Sequence, residues 1–185
     1  MNIFNFKDCD EGFIREVEER SGQDVSQCYQ CGNCTAGCPY TFVYDLPVGR
    51  IMRLTQTGQR KAALSCRSIW LCASCQSCTT RCPNNIDVAC IMDVLRHMSR
   101  EEGYATEKDV KLFADTFLSS VERFGRVYEM GLMAEYGARS LKPWTDGDLG
   151  PKILPKFKLH FMPHSIKGRD KVARIFDRFR EGQMQ

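Results

Sequence analysis

Apolar residues recur at three- and four-residue steps along most of this chain. Nowhere do they alternate for long enough to build a sheet. Phe13, Ile14 and Val17 share one face of a short helix that Asp10 can cap and Ser21-Gly22 can end. The glutamates of that segment, Glu11, Glu16, Glu18 and Glu19, read as its solvated face. Pro47 suits the first turn of a second helix, which carries Ile51, Met52 and Leu54 and stops at Gly58. The stretch from Pro83 to Asp87 starts a third, with Ile91, Val94, Leu95 and Met98 as its apolar stripe and Gly103 as its stop. Thr106-Glu-Lys-Asp109 has the form of a capping box with Asp in place of Glu. Beyond it Val110, Phe113, Phe117, Val121, Phe124 and Tyr128 keep the helical period. That run predicts one long helix whose stripe packs into a core. A last short helix starts near Asp170, with Val172, Ile175, Phe176 and Phe179 on one face. The expected fold class is all-α.

These elements divide the chain into a helical lead-in (1–27), a cysteine-bearing domain (28–104), a long amphipathic helix (105–140) and a C-terminal arm (141–185). The arm is set apart by composition. Pro143, Gly147, Gly150, Pro151, Pro155 and Pro163 break residues 141–168, yet Ile153, Leu154, Phe157, Leu159, Phe161 and Met162 remain apolar. Between Arg139 and Arg180 there are 11 Lys or Arg against 4 Asp or Glu. A segment this broken and this apolar is predicted to be covered by another chain of a complex. Lys152, Lys156, Lys158, Lys167 and Arg169 would then face an acidic partner surface. Wrapping on its own domain and attachment to an anionic membrane surface are the competing readings.

The chemistry lies in two cysteine runs. Cys28-Tyr-Gln-Cys31-Gly-Asn-Cys34-Thr-Ala-Gly-Cys38-Pro39 is followed, at a constant offset of 44 residues, by Cys72-Ala-Ser-Cys75-Gln-Ser-Cys78-Thr-Thr-Arg-Cys82-Pro83. Three cysteines spaced by two let a short loop curl over one face of a cubane, each giving a thiolate to a different iron. The fourth follows three residues later, and its proline sends the chain away. In two-cluster ferredoxins that fourth cysteine ligates the other cluster. The runs therefore predict two 4Fe–4S clusters, one on Cys28, Cys31, Cys34 and Cys82 and the other on Cys72, Cys75, Cys78 and Cys38. Structural zinc would use two Cys-x-x-Cys pairs per ion and leave the third cysteine and the Cys-Pro without a role. A disulfide framework is opposed by the odd count of 11 cysteines and by the crowding of the first three in each run. The 33 residues between Cys38 and Cys72 hold a full helix, which favours an all-α cluster domain over a small ferredoxin with β-hairpins. Cys9, Cys66 and Cys90 fall outside the runs and read as structural thiols. His97, His160 and His164 have no ligand spacing with one another.

The remaining composition adds boundaries. The 43% hydrophobic content is a little low, which inorganic clusters would compensate by replacing part of the core. A net charge of +3 gives no argument for nucleic acid. Met1 to Cys9 lack the pattern of a signal peptide, and no apolar run approaches the roughly 18 residues of a transmembrane span. A reducing cytoplasm is the expected setting.

Taken with Ile69-Trp-Leu before the second run and Pro163-His-Ser-Ile-Lys-Gly168 near the end, the two runs resemble the iron–sulfur C subunit of heterodisulfide reductase, HdrC. The resemblance covers most of the chain; the cysteines alone are shared by many ferredoxin domains. It implies an α-helical ferredoxin fold. It implies a non-catalytic relay between two other chains of the complex, one flavin-bearing and one disulfide-reducing. It implies also a link to flavin-based electron bifurcation and, in some relatives, to methanogenesis. The sequence has no Gly-x-Gly-x-x-Gly and no Cys-Cys-Gly run, so substrate chemistry is expected on other chains. The alternatives are an iron–sulfur subunit of another anaerobic respiratory oxidoreductase and a free ferredoxin-like carrier. About 100 residues follow Cys82, which is long for the carrier.

Overall fold

The computed structural model describes residues 9–104, 106–141 and 162–183, and among these there are helices and turns but no strand. The chain forms two compact units, 1–107 and 108–185. The all-α expectation is met.

In the first unit, α1 (Glu11–Ser21), α3 (Val48–Gln56) and α7 (Val88–Glu101) enclose the core. Single-turn helices lie between them: α2 (Asn33–Ala36), α4 (Arg60–Leu64), α5 (Ser68–Leu71) and α6 (Ser77–Thr80). Asp10 caps α1 by accepting from the Phe13 N–H at 3.1 Å, and Gly22 ends it in the left-handed region. Phe13, Val17, Ile51, Met52, Leu54, Leu64, Ile69, Ile91, Met92, Leu95 and Met98 are fully buried, so the helical stripes read from sequence converge on one core. Val94 and Ile14 pack at its margin. Trp70 closes the core from α5 and donates from Nε1 to the Ser99 hydroxyl at 3.3 Å.

The glutamates of α1 are not merely a solvated face. Glu16 accepts from Arg20 at 2.7 Å and from Arg60 at 2.8 Å, and Arg60 also bonds Glu102 at the end of α7 and lies 5.5 Å over the Phe13 ring. Glu18 accepts from the Val25 N–H at 3.1 Å. These ion pairs are a quarter to two-fifths exposed, so each contributes at most about 1 kcal/mol. Truncating a fully buried Phe costs about 3–5 kcal/mol, so apolar burial, not the charge network, fixes α1 in place.

The second unit holds α8 (Lys108–Phe124), α9 (Glu129–Ser140) and α10 (Arg169–Gln183). The single long helix expected over 105–140 is thus two helices. Gly125 breaks it at φ +76°, and a Cβ there would stand 2.5 Å from the Ile166 side chain. Helical period alone carries across a one-residue reversal, which is why the break is not visible in the pattern. The stripe also packs differently from expectation. The buried residues of α8 are Thr116 and Ser120, whereas Phe113 and Phe117 are 47% and 37% exposed. Phe113 stacks edge-to-face on Tyr136 of α9. The expected arm lies in part, at 142–161, outside the described residues. Its described part does not extend away: α10 packs on α8, Arg180 bonds both oxygens of Glu122 at 2.6–2.7 Å, and the Ile166 N–H donates to the Phe124 carbonyl at 3.2 Å.

Two glycines with the same backbone conformation give a test of the core frame. Gly58 (φ +66°) accepts at its carbonyl from the Asp10 N–H at 2.9 Å, and a Cβ there would sit 2.6 Å from that nitrogen. Gly22 (φ +63°) has open space around its Cβ position. Gly22→Ala should cost the left-handed penalty alone, about 1–2 kcal/mol. Gly58→Ala should cost more, because the backbone of Asp10 must also move. Anaerobic thermal unfolding should therefore show the larger drop in Tm for Gly58→Ala.

Candidate metal centre

The second cysteine run repeats the first not only in sequence but in its bonds. Helix α2 and helix α6 occupy the same place in each run, 44 residues apart. The turns before them use left-handed residues at matching positions, Gln30 and Ser74, then Gly32 and Gln76. Each loop is then tied to the helix that follows. The Thr35 hydroxyl accepts from the Gly49 N–H in the first turn of α3 at 2.8 Å, and the Thr79 hydroxyl accepts from the Ala89 N–H in the first turn of α7 at 3.1 Å. Asp87, which caps α7 through the Cys90 N–H, accepts the Thr79 proton at 2.8 Å.

The same helices clamp the start of each run from behind. Gln56 at the end of α3 donates from Nε2 to the Val25 and Cys28 carbonyls at 2.8 and 2.7 Å. Arg96 of α7 donates to the Ile69 and Cys72 carbonyls at 2.8 and 2.6 Å. The clamped carbonyls are 44 residues apart, and the clamping side chains 40 apart, so both halves use one device.

Two small cavities, about 30 and 20 Å³, lie between the loops and these helices. The first is lined by Cys28, Cys31, Cys34 and Cys82, with Met52 and Val88 as part of its floor. The second is lined by Cys38, Cys72, Cys75 and Cys78, with Val48 and Met92. Each cavity thus receives three cysteines of one run and the last cysteine of the other. The first residues of α3 and α7 explain the exchange. Val48 faces the second cavity while Gly49 and Met52 face the first; Val88 faces the first while Ala89 and Met92 face the second. The chain therefore crosses from one cavity to the other as it enters each helix, and both helix N-termini stand beside the thiols. Among the described residues no three Cys, His, Asp or Glu side chains converge on a point that suits a single metal ion.

The thiols are not equivalent. Cys31 and Cys75 are exposed, whereas Cys78 is buried and Cys34 half-buried. Burial raises the Cys34 pKa, and pushes Cys78 up to about 11. Cys75 is lowered, because the Ser77 hydroxyl and N–H donate to it. Tyr44 lines the second cavity and is strongly raised, first by burial and then by the neighbouring Cys72 and Cys38, so its phenol stays protonated as a donor. Cys9, Cys66 and Cys90 line neither cavity. Cys66 is buried, donates to the Ala63 carbonyl at 3.1 Å and is raised to about 11 by that burial. Cys90 contacts the Ser21 carbonyl at 3.6 Å.

Eight thiols line two cavities of a helical domain, and residues 24–86, which include all eight, match the family described as 4Fe-4S dicluster domain, the mark of an iron–sulfur protein. Among curated proteins, the chain is 27% identical over 103 residues to the C subunit of the H(2):CoB-CoM heterodisulfide,ferredoxin reductase of Methanothermobacter thermautotrophicus, covering 56% of each. It is 31% identical over 110 residues to the iron-sulfur C subunit of the CoB--CoM heterodisulfide reductase of Methanopyrus kandleri, covering 55% of this chain and 57% of that protein. Against the C subunit of the Ferredoxin:CoB-CoM heterodisulfide reductase of Methanosarcina acetivorans it is 38% identical over 84 residues, 45% of this chain and 34% of the relative. The chain spans about half the length of these relatives, or less. These matches make the chain similar, over about half of its length, to the iron–sulfur C subunits of heterodisulfide reductases.

If the three outlying cysteines serve packing alone, Cys66→Ser and Cys90→Ser should keep the iron content of the parent chain. Iron analysis after anaerobic purification checks this; loss of about four irons, one cubane, would make the altered residue a ligand.

Proposed function

We propose that this chain carries two 4Fe–4S clusters, one held by Cys28, Cys31, Cys34 and Cys82 and one by Cys72, Cys75, Cys78 and Cys38. It relays electrons as a non-catalytic member of a heterodisulfide reductase-type complex. The observation that carries this reading is the exchange of last cysteines between the two cavities. A set of four thiols lining one cavity suits an iron–sulfur cubane by ligand softness and number. When bound, such clusters supply one-electron transfer and nothing else. The rest is done by the protein. Helices α3 and α7 turn the positive ends of their dipoles toward negatively charged thiolate clusters. Met52 and Met92 keep water from the floors. Cys34 and Cys78, protonated when free, give up their protons on ligation, so loading iron couples to proton release. The exposed Cys31 and Cys75 mark the edge of each site closest to solvent, where a redox partner can approach.

By this reading electrons pass between a flavin-bearing partner chain and a disulfide-reducing one, in the cytoplasm. No helix among the described residues is long and apolar enough to cross a membrane. Docking falls to residues 105–185. The second unit leaves Phe113, Leu118, Met133, Ile175 and Phe179 between 45% and 60% exposed, more apolar surface than a small helical unit keeps bare without a partner.

Anaerobically prepared chain should contain about eight irons; zinc in place of iron would overturn the proposal. Cys82→Ser should damage the cluster of the first run, and Cys38→Ser that of the second, as read by electron paramagnetic resonance. Losses confined to each residue's own run would overturn the ligand sets. Replacing Lys152, Lys156 and Lys158 together by Gln should weaken binding to the flavin-bearing chain and flatten its salt dependence, measured by titration at two ionic strengths. Both clusters should remain.

A further inference from the structure

The repeat is close enough that its departures stand out, and one of them falls on a ligand. Gln30, between the first two cysteines of the first run, is held at φ +62°, and its Nε2 stands 3.4 Å from the Cys28 sulfur. The same Nε2 donates to Gln56 Oε1 at 2.9 Å. Gln56 in turn fixes the Val25 and Cys28 carbonyls. One amide therefore orients another, and the second points at a sulfur ligand.

The matching residue of the second run, Ser74, shares the left-handed backbone (φ +49°) but not the contact. Its hydroxyl turns to Asp93 Oδ1 at 2.7 Å. The reason lies in the clamp. Gln56 has both a donor for the loop carbonyls and an acceptor left for Gln30. Arg96, in the corresponding place, has donors only. Asp93, bonded to Arg96 at 3.0 Å, supplies the missing acceptor and takes the Ser74 proton away from the thiols.

We infer that Gln30 is a redox-tuning residue: its side-chain amide donates to the Cys28 thiolate and raises the reduction potential of the cluster bound by the first run. Reduction adds negative charge to the cluster and its sulfurs, and a hydrogen bond to a ligand sulfur favours that reduced form. Gln30 touches a ligand, not the iron, and acts on the potential through that ligand. The inference rests on the two-cluster reading above, but not on the exchange of Cys38 and Cys82, because Cys28 belongs to the first run either way.

The test is a potentiometric titration of the full-length, anaerobically loaded chain, followed by electron paramagnetic resonance. Gln30→Met keeps the length of the side chain and removes its donor. Gln30→Asn keeps an amide, tolerates the left-handed backbone and is one methylene too short to reach the sulfur. With iron content equal to the parent, both should lower one midpoint potential and leave the other in place. Ser74→Ala should move neither. A cluster potential that stays put or rises in both loaded variants overturns the tuning role. So does loss of the cluster in both, which would make Gln30 a folding residue. A parent chain with no four-iron signal would instead defeat the two-cluster reading, so the two failures are distinguishable.

Discussion

The structure depends on carbonyl groups being held from behind. A loop that turns several thiols toward one cavity must leave its own backbone oxygens on the far side, facing the helices. Gln56 and Arg96 meet that need, each taking two carbonyls at the start of one run with bonds of 2.6–2.8 Å. Both residues sit late in helices whose first turns receive a threonine hydroxyl from the same run. Each loop is thus pinned at both ends to one helix. The positions of the thiols follow from two helix axes rather than from the short loops themselves.

That dependence makes the buried face of α1 important although it supplies no ligand. Phe13 and Val17 are fully buried against the core that α3 and α7 share. Their burial outweighs the partly exposed arginine–glutamate pairs around Arg60 by several-fold per residue. The lead-in segment keeps the two clamping helices at a fixed spacing.

Much of this is legible in the sequence. The cysteine spacing picks out the eight thiols that line the two cavities, and the stripes through Ile51 to Leu54 and Ile91 to Met98 name the core. Asp10 and Gly22 bound α1 as their chemistry requires. Other features are not legible, because they depend on a side chain meeting something distant in sequence. The pairing of Gln56 with Cys28 is one, and the place of Glu16 between two arginines is another. A signal for the first does exist: subtracting the repeat from itself aligns Gln56 with Arg96 once the helices are shifted by four residues. The second unit is harder to read. A helical period cannot report the reversal at Gly125. Nor does an aromatic stripe say whether it is covered by its own chain, and here the buried positions are Thr116 and Ser120.

The four-residue shift has its own meaning. From Cys38 to the start of α3 the chain takes ten residues, and from Cys82 to the start of α7 only six. The longer connection contains the turn Thr41–Val43 and then Tyr44, whose ring enters the second cavity. A perfect duplication would leave two indistinguishable compartments, without a forward or a backward sense. The extra turn breaks that symmetry at the cheapest place, a connection outside the paired helices. The difference between the two compartments could therefore be altered by changing a handful of loop residues, while the doubled scaffold stays untouched.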